Sequence, residues 1–228
     1  MIHTKETNDN TGSTAENPKA FIRNDQYNFI KDQAKILVAG QASVNDAEVL
    51  NVLRHLAHEK VYKLFPSLTE EQKKILNPLV QVKELGEAEA FLETLQPYII
   101  PFKSVGVPGL KKLFPKAKKF KGPKLETINF NRTSYLAWTE SSNLMYLVTE
   151  EDDRLIGIQG SFTRSGKQGI CTICNRHSEV GMFIAKTKSS GQDQFIKRGN
   201  YICQDAAACN DHVKKLDKLH EFIGRLKK

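Results

Sequence analysis

The chain of 228 residues can hold one large domain or two small ones, and 39% of it is hydrophobic. No apolar run approaches the roughly 20 residues that a membrane helix needs, and the polar N-terminus lacks the apolar core of a signal peptide. The formal net charge of +8 is uneven: Lys103 to Lys124 holds eight lysines and no acid, and Arg164 to Lys228 holds 13 basic and 6 acidic residues, so the remainder is acidic. Two basic segments suit an anionic partner, nucleic acid or an acidic protein, as well as a plain solvated face.

Residues 1–17, rich in Asn, Asp, Thr, Gly and Ser, bury too little apolar surface to offset ordering entropy and are expected to be a disordered leader. Helical periodicity starts after Pro18 with Phe21, Ile22, Tyr27, Phe29, Ile30, Ile36 and Leu37. Ser43 reads as the N-cap of a second helix running to Pro66, and Thr69-Glu-Glu-Gln opens a third with acids at its positive end. Pro78 breaks or kinks that pattern, and Glu87 to Leu95 forms a fourth segment. Four short, closely connected helices predict an antiparallel bundle. The lysine-rich stretch that follows is punctuated by prolines, and Pro108 to Lys121 reads as a basic amphipathic helix between the bundle and the next domain.

Beyond Pro123 the pattern turns to strand. Leu144–Thr149 and Leu155–Ile158 flank the acidic turn Glu150–Asp153, which predicts a hairpin. Met182–Ile184 and Phe195–Ile196 flank Ser189-Ser-Gly191 as a second hairpin, and a helix from about Asn210 to Lys227 closes the chain. The expected fold class is α+β, with a leader over 1–17, a helical bundle with its basic connecting helix over 18–121, and an α/β zinc-finger domain over 122–228.

All four cysteines fall in two pairs, Cys171-x-x-Cys174 and Cys203-x5-Cys209, separated by 28 cysteine-free residues. A tight pair places two thiolates on one turn of backbone, and a distant second pair can complete a tetrahedron around one structural Zn²⁺. Two disulfides would need an oxidising compartment that nothing in the chain suggests, and a redox Cys-x-x-Cys should precede a helix rather than a strand. The reading is a cytoplasmic protein. A knuckle, a hairpin and a second pair leading into a helix is the treble-clef layout, a fold small enough to depend on its metal.

On the last helix Leu216, Leu219, Ile223 and Leu226 form one apolar stripe. Phe222 falls at its edge among Lys215, Lys218 and Arg225, either as core or as a partner-facing anchor. Tyr201 alternates with Ile202 and so should point away from the core, with Arg198 supplying charge nearby.

Gly169-Ile-Cys-Thr-Ile-Cys174, Lys197-Arg-Gly-Asn-Tyr-Ile-Cys203 and Cys209-Asn210 together resemble the FusB-type fusidic acid resistance family, the elongation-factor-G-binding proteins. Tyr135-Leu-Ala-Trp138, the Leu144–Gln159 hairpin and Pro97-Tyr-Ile-Ile-Pro101-Phe102 extend the likeness upstream to about residue 20. The resemblance implies a helical domain followed by a zinc-finger domain, and binding to the C-terminal domains of elongation factor G; the chain is expected to be a monomer. It implies release of that factor from ribosomes on which fusidic acid has trapped it, with the drug neither bound nor modified. Arg198, Tyr201 and Phe222 match the family's partner-contacting positions. Two residues depart from the pattern: Arg198 replaces a lysine, changing donor geometry, and Ile170 replaces a phenylalanine, removing contact area.

Basic charge beside a zinc module also fits an RNA-binding finger, which stands as the alternative. A zinc enzyme fits less well, because catalytic zinc keeps an open position and the four-cysteine set is closed. His177, three residues after Cys174, reads as a solvated or outer residue, and His55 and His58 as helix-surface histidines. No phosphate-cradling loop, nucleophile elbow or paired-carboxylate pattern is present, and the chain is expected not to be an enzyme.

Overall fold

A computed structural model describes residues 19–141, 143–188 and 195–227; the expected leader and the Ser189-Ser-Gly191 turn lie outside them. Four helices come first: α1 (Asn24–Ser43), α2 (Ala47–Tyr62), α3 (Glu70–Leu76) and α4 (Leu85–Thr94). Thr69 and Gln72 form the capping box expected at α3, and Pro78 converts the chain to a 3₁₀ turn over Asn77–Gln81. The cap of α2 is Asp46, whose carboxylate accepts from Glu48 N–H and Val49 N–H, while Ser43 ends α1. Both residues suit an N-cap; the backbone turn between the helices decided which one served.

The bundle core gathers Ile22, Ile30, Leu37, Val61, Leu76, Leu79, Phe91 and Leu95. Yet α1 also buries Asn24, Asp25, Gln26, Asn28 and Gln33, polar residues that an ordinary surface helix leaves in water. Gln26 Nε2 donates to Leu64 C=O (2.8 Å) inside the bundle and Asp25 pairs with Arg23. Asn24 and Asn28 instead face the second domain: Asn24 Nδ2 donates to Ser134 Oγ (2.9 Å) and Asn210 C=O (3.0 Å). Asn28 Nδ2 donates to the carbonyls of Asn210 (2.7 Å) and Val213 (2.9 Å). A salt bridge from Lys214 to Asp32 (2.7 Å) borders the seam.

The second domain is a five-stranded antiparallel meander, β1 (Tyr135–Ser141), β2 (Leu144–Glu151), β3 (Arg154–Ile170), β4 (His177–Lys188) and β5 (Phe195–Cys203), in sequential order. Asp152 and Asp153 both take positive φ in the β2–β3 turn, the conformation a two-residue hairpin loop demands and Asp tolerates. β3 runs far past Ile158 because polar residues of its outer half alternate freely with solvent, which gave no apolar signal to read.

One sheet face carries Met145, Leu147, Phe162, Phe183, Ala185 and Ile202, covered by α6 (Ala206–Asn210) and α7 (Leu216–Lys227). The expected continuous terminal helix is therefore two helices. The break at 211–215 lets Cys209 stay at the knuckle while α7 turns across the sheet. Gly181 lies on this face with the Phe162 ring filling the space where a side chain would start: an added Cβ would sit 2.3 Å from it. Gly181→Ala is expected to cost about 1–3 kcal/mol, read as a lower urea midpoint at unchanged slope. An unshifted midpoint would mean the ring moves freely.

The opposite face, at the β1–β2 end, packs Leu136, Tyr146 and Val148 against Phe102, Leu110 and Phe114. The basic segment thus shares its core with the sheet. Its helix, α5 (Val107–Lys112), is six residues long and stops well before Lys121, because Pro115 cannot continue it. The following residues run irregularly across the sheet. Burial and the Glu140 carboxylate push the Tyr146 hydroxyl up to about 12, so it stays protonated there.

Candidate metal centre and partner surface

The knuckle is a backbone device. Cys171 N–H donates to Arg176 C=O (3.0 Å) and Asn175 N–H to Cys171 C=O (2.9 Å), with Asn175 in the left-handed region at φ 55°. This tight reversal turns the Cys171 and Cys174 side chains to the same side. Cys203 ends β5, and Cys209 comes from α6, whose start is fixed by the Asp205 carboxylate accepting from Ala207 N–H and Ala208 N–H.

The four Sγ atoms lie within 4.8 Å of one another. Cys171 and Cys209 sulfurs are 3.8 Å apart and those of Cys174 and Cys203 are 3.7 Å apart. A tetrahedron with Zn–S bonds of about 2.3 Å has edges of about 3.8 Å, so the thiols stand where a zinc ion requires them. At that spacing they compete for protons: hydrogen bonds, led by that with Cys174, push Cys171 down, while the bond with Cys171 pushes Cys209 and Cys174 up. A dication is what allows all four to be thiolates together. The residues fit one zinc ion, and a closed set of four makes it structural.

Outer contacts hold the ligands in place. Ser178 Oγ lies 3.1 Å from Cys203 Sγ, and Cys203 N–H points at Cys171 Sγ (3.4 Å). Tyr135 is buried against the site, its hydroxyl pushed well up by burial and by the neighbouring Cys209. His177 opens β4 opposite Ile170, exposed and outside the four-sulfur cluster. His58 rests on the Tyr62 ring, with centroids 4.0 Å apart.

Asn210, beside Cys209, went unassigned at the level of sequence and is a hub. Its Oδ1 accepts from Ser134 N–H (2.6 Å) and Tyr135 N–H (3.2 Å). Its Nδ2 donates to the carbonyls of Tyr135 (2.9 Å) and Ala206 (2.9 Å), while its own carbonyl receives Asn24 and Asn28 of α1. One residue joins the finger helix, the first strand and the helical domain. The polar residues at the start of α1 were the available signal for this seam.

The four residues expected at the partner surface separate. Tyr201 is 43% exposed and Ile170 is 56% exposed. Thr172 N–H donates to Tyr201 C=O (2.9 Å), setting the knuckle beside β5. Phe222, in contrast, is only 2% exposed and packs on Phe183 with ring centroids 6.1 Å apart. It is core and not a protruding anchor: α7 lies on Phe183, which widens the buried stripe to include it. Its ring edge closes the floor of a small groove walled by Ile170, Lys218 and Arg225. Arg198 stands opposite Ala185 and Tyr201 opposite Met182, so their side chains leave the sheet on opposite faces. Arg198, expected to supply charge beside Tyr201, thus lies on the other face, since a spacing of three on a strand reverses direction. Arg198 is also half-buried, on the α7 side.

A helical domain joined to a metal-stapled antiparallel sheet, with its exposed apolar residues beside the knuckle, defines a two-domain zinc-finger protein. Two family models match it in chain order: "Elongation factor G-binding protein, N-terminal" over residues 21–103 and "FBP C-terminal treble-clef zinc-finger" over residues 114–225. The chain belongs to this family of elongation factor G-binding proteins. It is similar to the solved structure of the fusidic acid resistance protein FusC, with a TM-score of 0.77 and 28% identity, covering 90% of this chain and 97% of that one. No curated protein sequence matches it.

Proposed function

We propose that this protein binds elongation factor G in the cytoplasm as a monomer and promotes its release from the ribosome, relieving the stalling that fusidic acid causes. The observation that carries the reading is the ordered match of both family domains across nearly the whole described chain. Likeness to FusC over 97% of that protein's length supports the resistance role. The protein acts by contact and not by catalysis, with zinc holding the contact surface in shape. Among the described residues no helix is long and apolar enough to cross a membrane.

Tyr201 and Ile170 are the contacts, through the C-terminal domains of the factor. An aromatic seated in a partner's pocket acts through off-rate, at about 2 kcal/mol or more on truncation. Tyr201→Ala is expected to weaken binding tens-fold in a calorimetric titration with purified elongation factor G, and Ile170→Ala several-fold. Ile170→Phe, which restores the family's ring, should tighten it. Arg198→Ala should matter less, and more at low salt than at high salt. Phe222→Ala should lower stability first, because it opens a core cavity. If Tyr201→Ala and Ile170→Ala both bind like the parent, the contact surface lies elsewhere. If the parent itself does not bind the factor, or does not restore fusidic-acid-blocked translation in a reconstituted system, the function is not this one.

A further inference from the structure

The segment from Lys103 to Lys124 carries charge of one sign. Its eight lysines are all exposed, and it contains no acid. Only Lys103 has carboxylate company, 3.9 Å from Glu150; among the described residues the other seven lysines form no salt bridge. Glu140 lies alongside, its Oε1 accepting from the backbone N–H of Lys121 (2.5 Å), and among the described residues it forms no salt bridge.

The strip is also held in place. Leu110 and Phe114 are buried under it, and Trp138 Nε1 donates to Lys121 C=O (3.0 Å). Phe114 meets Tyr146 edge to face at 4.7 Å, and Phe120 meets Trp138 at 6.0 Å. Aromatic side chains therefore face inward and pin an irregular backbone, while the lysines point to water. Unpaired like charges on a fixed scaffold repel one another, and a polyanion relieves that repulsion.

We infer that this strip is an RNA-binding surface that reads the phosphate backbone without base specificity. Three features favour RNA over an acidic protein. Every basic residue is Lys, which is depleted in protein interfaces, whereas Arg is enriched there. The strip offers little apolar area to form a dry interface core. Its rings are engaged in packing, so bases have no platform on which to stack, and phosphate contact is what remains. The strip packs on β1 and β2, at the other end of the sheet order from Tyr201 on β5.

The test measures fluorescence anisotropy of a labelled RNA hairpin, titrated with the full chain over a range of salt. With about five phosphate contacts, affinity should fall a hundredfold or more between about 50 and about 200 mM salt. A triple variant, Lys116→Gln with Lys118→Gln and Lys119→Gln, should bind RNA at least about tenfold more weakly, with a salt slope shallower by about two to three. Zinc content and affinity for elongation factor G should stay at parental values, which shows that the variant is folded. Equal RNA binding by parent and triple variant overturns the inference, as does the absence of salt-dependent binding by the parent. Loss of affinity for the factor with RNA binding intact would make the strip an acidic-protein site. Tighter binding to phosphatidylserine vesicles than to RNA would make it a membrane site. Failure of any of these leaves the factor-binding result of the parent to be judged on its own titration.

Discussion

Replacing Cys174 by Ser is expected to remove the zinc and melt the finger while most of the helical signal survives. The expectation rests on two separate cores. Leu37, Val61, Leu79 and Phe91 pack among helices α1–α4, whereas Cys171, Ile173, Cys203 and Cys209 belong to the cluster under α6 and α7. Structural zinc contributes an apparent ~10–16 kcal/mol in finger peptides near neutral pH, more than a typical domain's whole stability. Three remaining thiolates hold zinc too weakly to keep the knuckle, α6 and the end of β5 together. Chelation of the parent should reproduce the variant: one equivalent of zinc released, the tertiary signal of the sheet lost, and most of the far-ultraviolet helix signal kept. On the proposed contact surface, binding to elongation factor G should vanish with it, since Ile170 adjoins Cys171 and Tyr201 stands two residues before Cys203. A protein prepared with less than about half an equivalent of zinc, or one that keeps its fold after chelation, would show that packing alone sustains this domain.

Asn210→Ala should be the most damaging single change away from the metal. Truncation removes four hydrogen bonds and leaves both the N–H and the C=O of buried Tyr135 without these partners. At about 1–3 kcal/mol for each buried group left unsatisfied, the loss comes to about 3–5 kcal/mol, a large part of a marginal stability. Asn210→Asp keeps the acceptor toward Ser134 and Tyr135 but turns a second oxygen on the carbonyls of Tyr135 and Ala206, so it should rescue little. Denaturant unfolding measures this directly, and a loss below about 1 kcal/mol would mean that water takes over the vacated bonds. Asn28→Ala provides a comparison: it strips two bonds from the domain seam only, and should loosen the pairing of the domains with less effect on the finger itself.

Much of this was legible along the chain because its causes are local. Two cysteine pairs, the turns that separate them, Thr69 with Gln72, Pro78 and the Asp-Asp turn each constrain their own few residues, and each does so wherever the segment sits. The zinc site follows from ligand type and spacing alone, because four thiols with that separation have one good common use. Strand parity alone separates Arg198 from Tyr201, three residues apart, yet the expectation set them side by side, and the pairing with Ala185 and Met182 corrects it. Other features came only from tertiary packing. Phe222 is core because α7 crosses Phe183, a residue 39 positions earlier whose proximity no helical wheel contains. Asn210 became a hub because β1 and α1 both reach it from more than 70 residues away. The residues after Pro115 lie across the sheet because Phe114 and Phe120 pack on Tyr146 and Trp138, which no local pattern records. Local chemistry determined which elements and which metal this chain has, and long-range burial decided which of its exposed-looking residues remain available to a partner.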